Sequence, residues 1–120
     1  MKLATILAAA AMTMLTAAPA FAESFRPVES RSGFLSLVDG KSLKRLGISL
    51  AVTPGGEIRG EAFGRRVTGA WRWDGKYFCR DLSFGNRDIG PNCQLVLVNG
   101  RTVRFVADKG AGEHADLRIE

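Results

Sequence analysis

Turn-forming residues punctuate this chain from position 54 onward. Pro54-Gly55-Gly56, Gly64-Arg65-Arg66, Asp74-Gly75, the stretch 85–91, Asn99-Gly100 and Lys109-Gly110-Ala111-Gly112 follow one another along the sequence. Their spacing is the ~8–12 residues that separates short antiparallel strands. Between them the apolar residues alternate: Ile48, Leu50 and Val52 are interleaved with Ser49, Ala51 and Thr53. A period of two is that of a strand with one buried face. Strands are expected at 48–52, 57–63, 67–73, 76–84, 93–98 and 102–107, with a closing strand at 117–119. Gly60 weakens the second of these. The connections are too short for crossover helices, which excludes a parallel sheet. The fold class is mainly β, a small antiparallel meander. Such a meander must hide its edges, either by closing as a barrel or by folding over as a sandwich.

Only one segment breaks the period. Phe34, Leu37 and Val38 fall at helical spacing, with Ser30 or Ser32 as a start signal and Gly40 as a stop. One short N-terminal helix is expected there, able to plug one end of the β-structure. Residues 23–31 read as a polar leader.

The two hairpin dipeptides fix an expected register. With Asp74-Gly75 as the two loop residues, Trp73 faces Lys76, Trp71 faces Phe78 and Val67 faces Leu82. That puts Trp71, Phe78, Val67 and Leu82 on one apolar face with Trp73 at its rim. With Asn99-Gly100 as the loop, Val96 faces Val103 and Gln94 faces Phe105. Cys79 and Cys93 then lie on one face of neighbouring strands, opposite the tryptophans, and the helix is the natural cover for that cysteine face. A bulge in either strand would reverse the assignment.

The N-terminus has a different character. Lys2 precedes the unbroken run of apolar and small residues 3–15, and Pro19 precedes Ala20-Phe21-Ala22. This is the three-part pattern of a secretory signal cleaved after Ala22. An uncleaved anchor is the alternative, but the apolar run is short for a membrane span. The organisation expected is a signal peptide at 1–22 and a single β-rich domain at 23–120, located in the periplasm or secreted. Export gives the two cysteines of the chain an oxidising compartment, where they most simply pair as Cys79–Cys93. The 17 Lys+Arg against 12 Asp+Glu, with Lys2 leaving in the signal, make a mildly basic protein. That surplus is ordinary solubility, with some preference for anionic surfaces.

Catalytic candidates are few. His114, the one histidine, sits in Gly112-Glu113-His114-Ala115-Asp116, but in a strand Glu113, His114 and Asp116 do not all share one face, so it reads as a surface residue. A single histidine and no CxxC make a zinc site unexpected. There is no Gly-x-Ser-x-Gly elbow and no phosphate-binding loop. The glycine-rich pieces lack the strand–GxGxxG–helix context of a dinucleotide site, so no cofactor is expected. Arg72, Lys76, Tyr77 and Arg80 lie among Trp71 and Trp73, a composition that can bind anionic polymers. Alternation instead assigns the aromatics to the core, and nucleic acid is not an expected partner. The candidate binding surface comprises Asn86, Arg87 and Asp88 in the 85–92 loop, together with Trp73, Lys76 and Arg80.

Three stretches, Gly69 to Arg80, Asn92-Cys93-Gln94 and Asn99 to Phe105, carry a Gly-x-Trp hairpin leading to a cysteine and a Cys-Gln before an Asn-Gly hairpin. In this the chain resembles small exported alphaproteobacterial proteins of unknown function, some of which carry a dihydrodipicolinate reductase label. The label implies a cytoplasmic nicotinamide enzyme with a dinucleotide-binding domain, and this chain is shorter and lacks the fingerprint. The expectation is a monomeric, non-enzymatic binding or interaction module, with an envelope protein or an anionic glycan as partner. The alternatives are an enzyme of the reductase type and an inhibitor of an envelope hydrolase acting through the 85–92 loop.

Overall fold

In the computed structural model, which describes residues 24–120, the chain forms nine strands and one α-helix. The expected signal at 1–22 lies outside the described residues. The strands are β1 (Arg26–Val28), β2 (Leu43–Arg45), β3 (Ile48–Val52), β4 (Glu57–Ala62), β5 (Arg65–Asp74), β6 (Tyr77–Phe84), β7 (Arg87–Asn99), β8 (Thr102–Val106) and β9 (His114–Ile119), with α1 (Arg31–Val38) between β1 and β2. From β2 to β9 each strand pairs antiparallel with the next, and β9 returns to β2 through Leu43↔Ile119. The result is a closed eight-stranded up-and-down barrel, which removes the edges of the sheet. The barrel, not the sandwich, is the solution this meander takes. The extra strand β1 pairs with the C-terminal half of β7, from Arg26↔Val98 to Val28↔Val96.

Alternation builds the wall. Val52, Ile58, Val67, Trp71, Phe78, Val96, Val103, Phe105 and Leu117 point inward and are buried. Their neighbours Ala51, Arg59, Arg66, Arg72 and Arg118 point outward and are exposed. At Gly69 the wall bends so tightly that a Cβ would stand 2.3 Å from the Asp81 carbonyl oxygen, so only glycine fits there.

The hairpin registers differ from expectation in one consistent way. The loop of the β5–β6 hairpin is Gly75-Lys76, flanked by Asp74↔Tyr77, so that Trp73 faces Phe78, Trp71 faces Arg80 and Val67 faces Phe84. The β7–β8 loop is Gly100-Arg101, flanked by Asn99↔Thr102, and Val98 faces Val103. Gly75 and Gly100 adopt positive φ (61° and 56°) while Lys76 and Arg101 do not. Glycine at the first central position with a normal residue second is the type II′ turn, not the Asp-Gly or Asn-Gly type I′ turn. The displacement is two residues along the pair, so every side chain keeps its face. The 85–91 stretch is corrected more deeply. Only Gly85-Asn86 form the turn, and β7 begins at Arg87, with Ile89 bulged out between Ser83↔Asp88 and Leu82↔Gly90.

The helix closes one end. The Ser30 hydroxyl accepts from the Gly33 amide (3.0 Å), capping α1 as expected. Phe34 and Val38 are fully buried. The Phe34 ring packs against Trp71, Trp73, Phe78 and Phe105 at centroid distances of 5.5, 5.4, 5.0 and 6.2 Å. Helix α1 therefore covers the tryptophan face, not the cysteine face. The strands curve round the helix, leaving the cysteines on the outer wall, where the turn 107–112 crosses them. Asn92 Nδ2 donates to Asp108 Oδ1 (2.8 Å), and the Asp108 amide donates back to Asn92 Oδ1 (3.1 Å).

Cys79 and Cys93 are direct cross-strand partners on β6 and β7 and form a disulfide with a sequence separation of 14. Closing a loop of that size contributes about 3 kcal/mol in the chain-entropy account. It also locks β6 to β7 three register pairs from the bulge.

Candidate functional site

The two ends of the barrel are unlike. At the helix end, Arg31 donates to the Pro54 carbonyl (2.8 Å), and its guanidinium lies 5.2 Å from the Trp71 ring centroid. Trp71 Nε1 donates to the Thr53 carbonyl (2.9 Å) and Trp73 Nε1 to the Gly75 carbonyl (2.9 Å). Each indole is thus apolar on its body and satisfied at its nitrogen. This end is sealed.

The opposite end is bordered by the turns 46–47, 63–64 and 85–86 and by the start of the 107–113 connection, and among the described residues no α-helix crosses it. From it a cavity of about 210 Å³ runs into the barrel. Its walls are mostly aliphatic: Leu43, Ile48, Leu50, Ile58, Leu82 and Leu117. Its floor is Phe78 and Phe105, whose rings sit 5.2 Å apart and rest on Phe34. Ile48, Leu50 and Leu82 face inward yet remain only partly buried, so solvent reaches this apolar lining. A small apolar concavity with a few polar groups is the common form of a ligand site at a barrel mouth.

The polar groups in that lining are Arg45, Arg80 and Gln94. Arg80 is the inward partner of Trp71 on β6. Its side chain lies partly buried in the apolar wall and donates to the Gly90 carbonyl beside the bulge (2.9 Å). Desolvation holds its pKa below the ordinary arginine value, partly offset by the attraction of Asp81. The group nevertheless stays cationic at physiological pH. One guanidinium donor is used by Gly90, and no side-chain donor or acceptor in the described residues is both fully buried and unpartnered. The remaining donors of Arg80 have no hydrogen-bond partner among the described residues, and Arg80 lines the cavity.

The six residues expected to form a binding surface fall into three places. Asn86, Arg87 and Asp88 stand at the open end on the β6–β7 turn. Lys76 and Trp73 stand at the sealed end, a strand length of about 25 Å away. Arg80 is inside. Alternation could have found Arg80, since it shares parity with Phe78 and Leu82. A charged residue on an inward row was taken for solvent-facing because it neighbours Lys76 and Tyr77 in sequence.

Other features are structural. His114 is exposed at the start of β9. Among the described residues no group of three or more His, Cys, Asp or Glu is placed to hold a metal ion, and no helix is long and apolar enough to cross a membrane. Asp116 and Arg104, cross-strand partners on β9 and β8, form a two-pronged ion pair at 2.8 and 2.9 Å. The Arg104 hydrogen bond, with its charge and those of His114 and Arg45, draws the Asp116 carboxyl below the usual range against some desolvation. The Arg104 guanidinium also lies 3.9 Å from the Phe25 ring centroid, pinning the segment before β1.

Compared with models of known protein families, with curated proteins and with solved structures, the chain matches none.

Proposed function

We propose that this protein is a non-enzymatic binding module that works outside the cytoplasm and takes a small anionic amphiphile into the open end of its barrel. The observation that carries the reading is Arg80, a partly buried cation set in the wall of a mostly apolar cavity. Apolar walls favour a hydrocarbon chain in proportion to the area covered. A partly desolvated guanidinium with free donors favours a carboxylate or phosphate head, which it meets bidentately. At about 210 Å³ the cavity suits one short chain, below the range of drug-sized ligands. The Cys79–Cys93 disulfide is compatible with an oxidising, exported location, in keeping with the signal pattern at 1–22.

Calorimetric titration of the mature protein with octanoate and with octanol tests this. Octanoate binds saturably and more tightly than octanol, and Arg80→Met removes the difference between them. Equal affinity for both ligands, or no heat from either, would overturn the reading.

A further inference from the structure

The apolar residues most exposed to solvent stand around the open end. Leu46 is 94% exposed, Phe63 72% and Ile89 52%. Leu46 belongs to the turn 46–47 between β2 and β3, and Phe63 to the turn 63–64 between β4 and β5. The two turns touch: the Phe63 amide donates to the Gly47 carbonyl (2.7 Å), and a Cβ on Gly47 would stand 2.7 Å from the Phe63 ring. Ile89 is the bulged residue three positions beyond the third turn.

Phe63 contradicts the chemistry of its own turn. It holds φ at 52°, and Gly64 follows at 78°. Two successive positive φ values flanked by the pair Ala62↔Arg65 define a type I′ hairpin, for which Asn-Gly or Gly-Gly is the favoured pair. A bulky aromatic residue is strained in that conformation, and here it recovers little by burial. A strained, solvent-facing aromatic at a turn tip points to a role outside the fold.

Charge completes the pattern. Arg45, Arg65, Arg66 and Arg87 flank the three turns and are exposed, against Glu61 and Asp88. None of the four forms a contact ion pair among the described residues, although Arg45 acts on Asp116 at longer range and the Arg65 guanidinium lies 5.6 Å from the Phe84 ring centroid. The outer barrel wall carries charged residues at its outward positions, so it suits water and not hydrocarbon. Single apolar side chains projecting from separate tips, backed by exposed guanidinium groups, match the interface of an anionic bilayer. There the apolar groups enter the headgroup boundary and the cations meet phosphates. Of the residues lining the cavity, Arg45 and Ile48 flank the first of these turns.

We infer that the open end docks on an anionic phospholipid surface, with Leu46 and Phe63 inserted and the four arginines at phosphate level. The inference rests on the proposed lumen function in one respect, that the bilayer would be the source of the amphiphile. Flotation of the mature protein with phosphatidylcholine vesicles, with and without phosphatidylglycerol, tests it. Binding requires phosphatidylglycerol and declines with added salt. Leu46→Ser combined with Phe63→Asn lowers the vesicle partition constant about tenfold or more, and each arginine changed to Gln lowers it about fivefold. Phe63→Asn restores the favoured Asn-Gly turn, so an unchanged or higher melting temperature shows that lost binding is not lost folding. Equal binding to both vesicle types, or binding indifferent to the tip substitutions, would overturn the inference. So would an absence of vesicle binding with a concentration-dependent dimer that the tip substitutions break, which would assign the surface to a second copy of the chain. Octanoate titration of the tip variant separates the two proposals: retained octanoate affinity with lost vesicle binding shows that the lumen acts independently of the docking surface.

Discussion

The sealed and open ends of this barrel are made by the same strands and the same alternation, yet they use apolar residues in opposite ways. At the sealed end Phe34, Val38, Trp71 and Phe78 are buried against one another, and both indole nitrogens are satisfied. At the open end Ile48, Leu50 and Leu82 line a space they do not fill, and Leu46 and Phe63 stand in solvent. A small domain has little apolar surface to spare. Burial is concentrated where the helix plugs the barrel, and the other end keeps apolar surface in contact with solvent.

The largest expected effect tests that division. Phe34→Ala removes the ring on which four aromatic residues rest, and should cost about 3–5 kcal/mol in denaturant unfolding. Leu82→Ala, at a wall already bordered by empty space, should cost less than about 2 kcal/mol, because a cavity exists there before the truncation. Comparable costs at the two sites would mean that the open end is packed as tightly as the sealed one.

The next effect concerns the disulfide, which joins the two strands that run from one end to the other. Replacing both Cys79 and Cys93 by Ser should lower stability by about 2–5 kcal/mol, measured against the oxidised protein. Because the bulge at Ile89 lies close by, amide hydrogen exchange in 87–92 should accelerate more than in β8. Uniform acceleration would show that the bridge acts only through the unfolded chain.

How far this asymmetry could be read from the sequence depended on the kind of signal. The period of two and the turn dipeptides specify an antiparallel meander, the helical spacing of Phe34, Leu37 and Val38 specifies one helix with Ser30 or Ser32 as its start, and the register sets the cysteines on one face. These are local patterns, each contained within a few residues. Two kinds of information were not local. The dipeptides Asp74-Gly75 and Asn99-Gly100 allow either placement of the glycine in the loop, and the structure sets Gly75 and Gly100 at the first loop position. The partner of α1 depends on the direction in which the sheet curls, so the helix was assigned to the cysteine face when it lies inside the curl. Strands β1 and β2 were missed because each is three residues long, too short for alternation to register. The site suffered for the same reason. Arg80 was grouped with its neighbours in sequence, whereas its neighbours in space are the cavity residues.

A smaller effect belongs to the open end. Phe63→Asn alone should raise stability by about 1 kcal/mol, since it relieves the left-handed strain of a bulky residue. A loss of stability would show that the Phe63 ring supports the fold through its contact with Gly47, and that its exposure carries no functional meaning.

The smallest effect lies on the barrel wall, between the two ends. The Asp116 carboxyl is depressed in the folded protein, so its ion pair with Arg104 contributes fully above the unfolded carboxylate value of about 3.9 and is lost as pH falls through that value toward the folded one. Asp116→Asn should therefore reduce stability by about 0.5–1 kcal/mol at neutral pH. It should also flatten the decline of stability below about pH 5. An unchanged acid limb would show that the pair contributes nothing to folding.

The most direct test of the account is to map, by amide chemical-shift perturbation, where octanoate binds. Binding in the open lumen predicts saturable shifts at Ile48, Leu50, Arg80, Leu82 and Leu117, with Arg31, Phe34 and Trp73 at the sealed end little changed, and in Arg80→Met shifts at the same wall with affinity lowered to that of octanol. Shifts centred on the sealed end or the outer wall, or none at all, would contradict the assignment of the binding site to the open end.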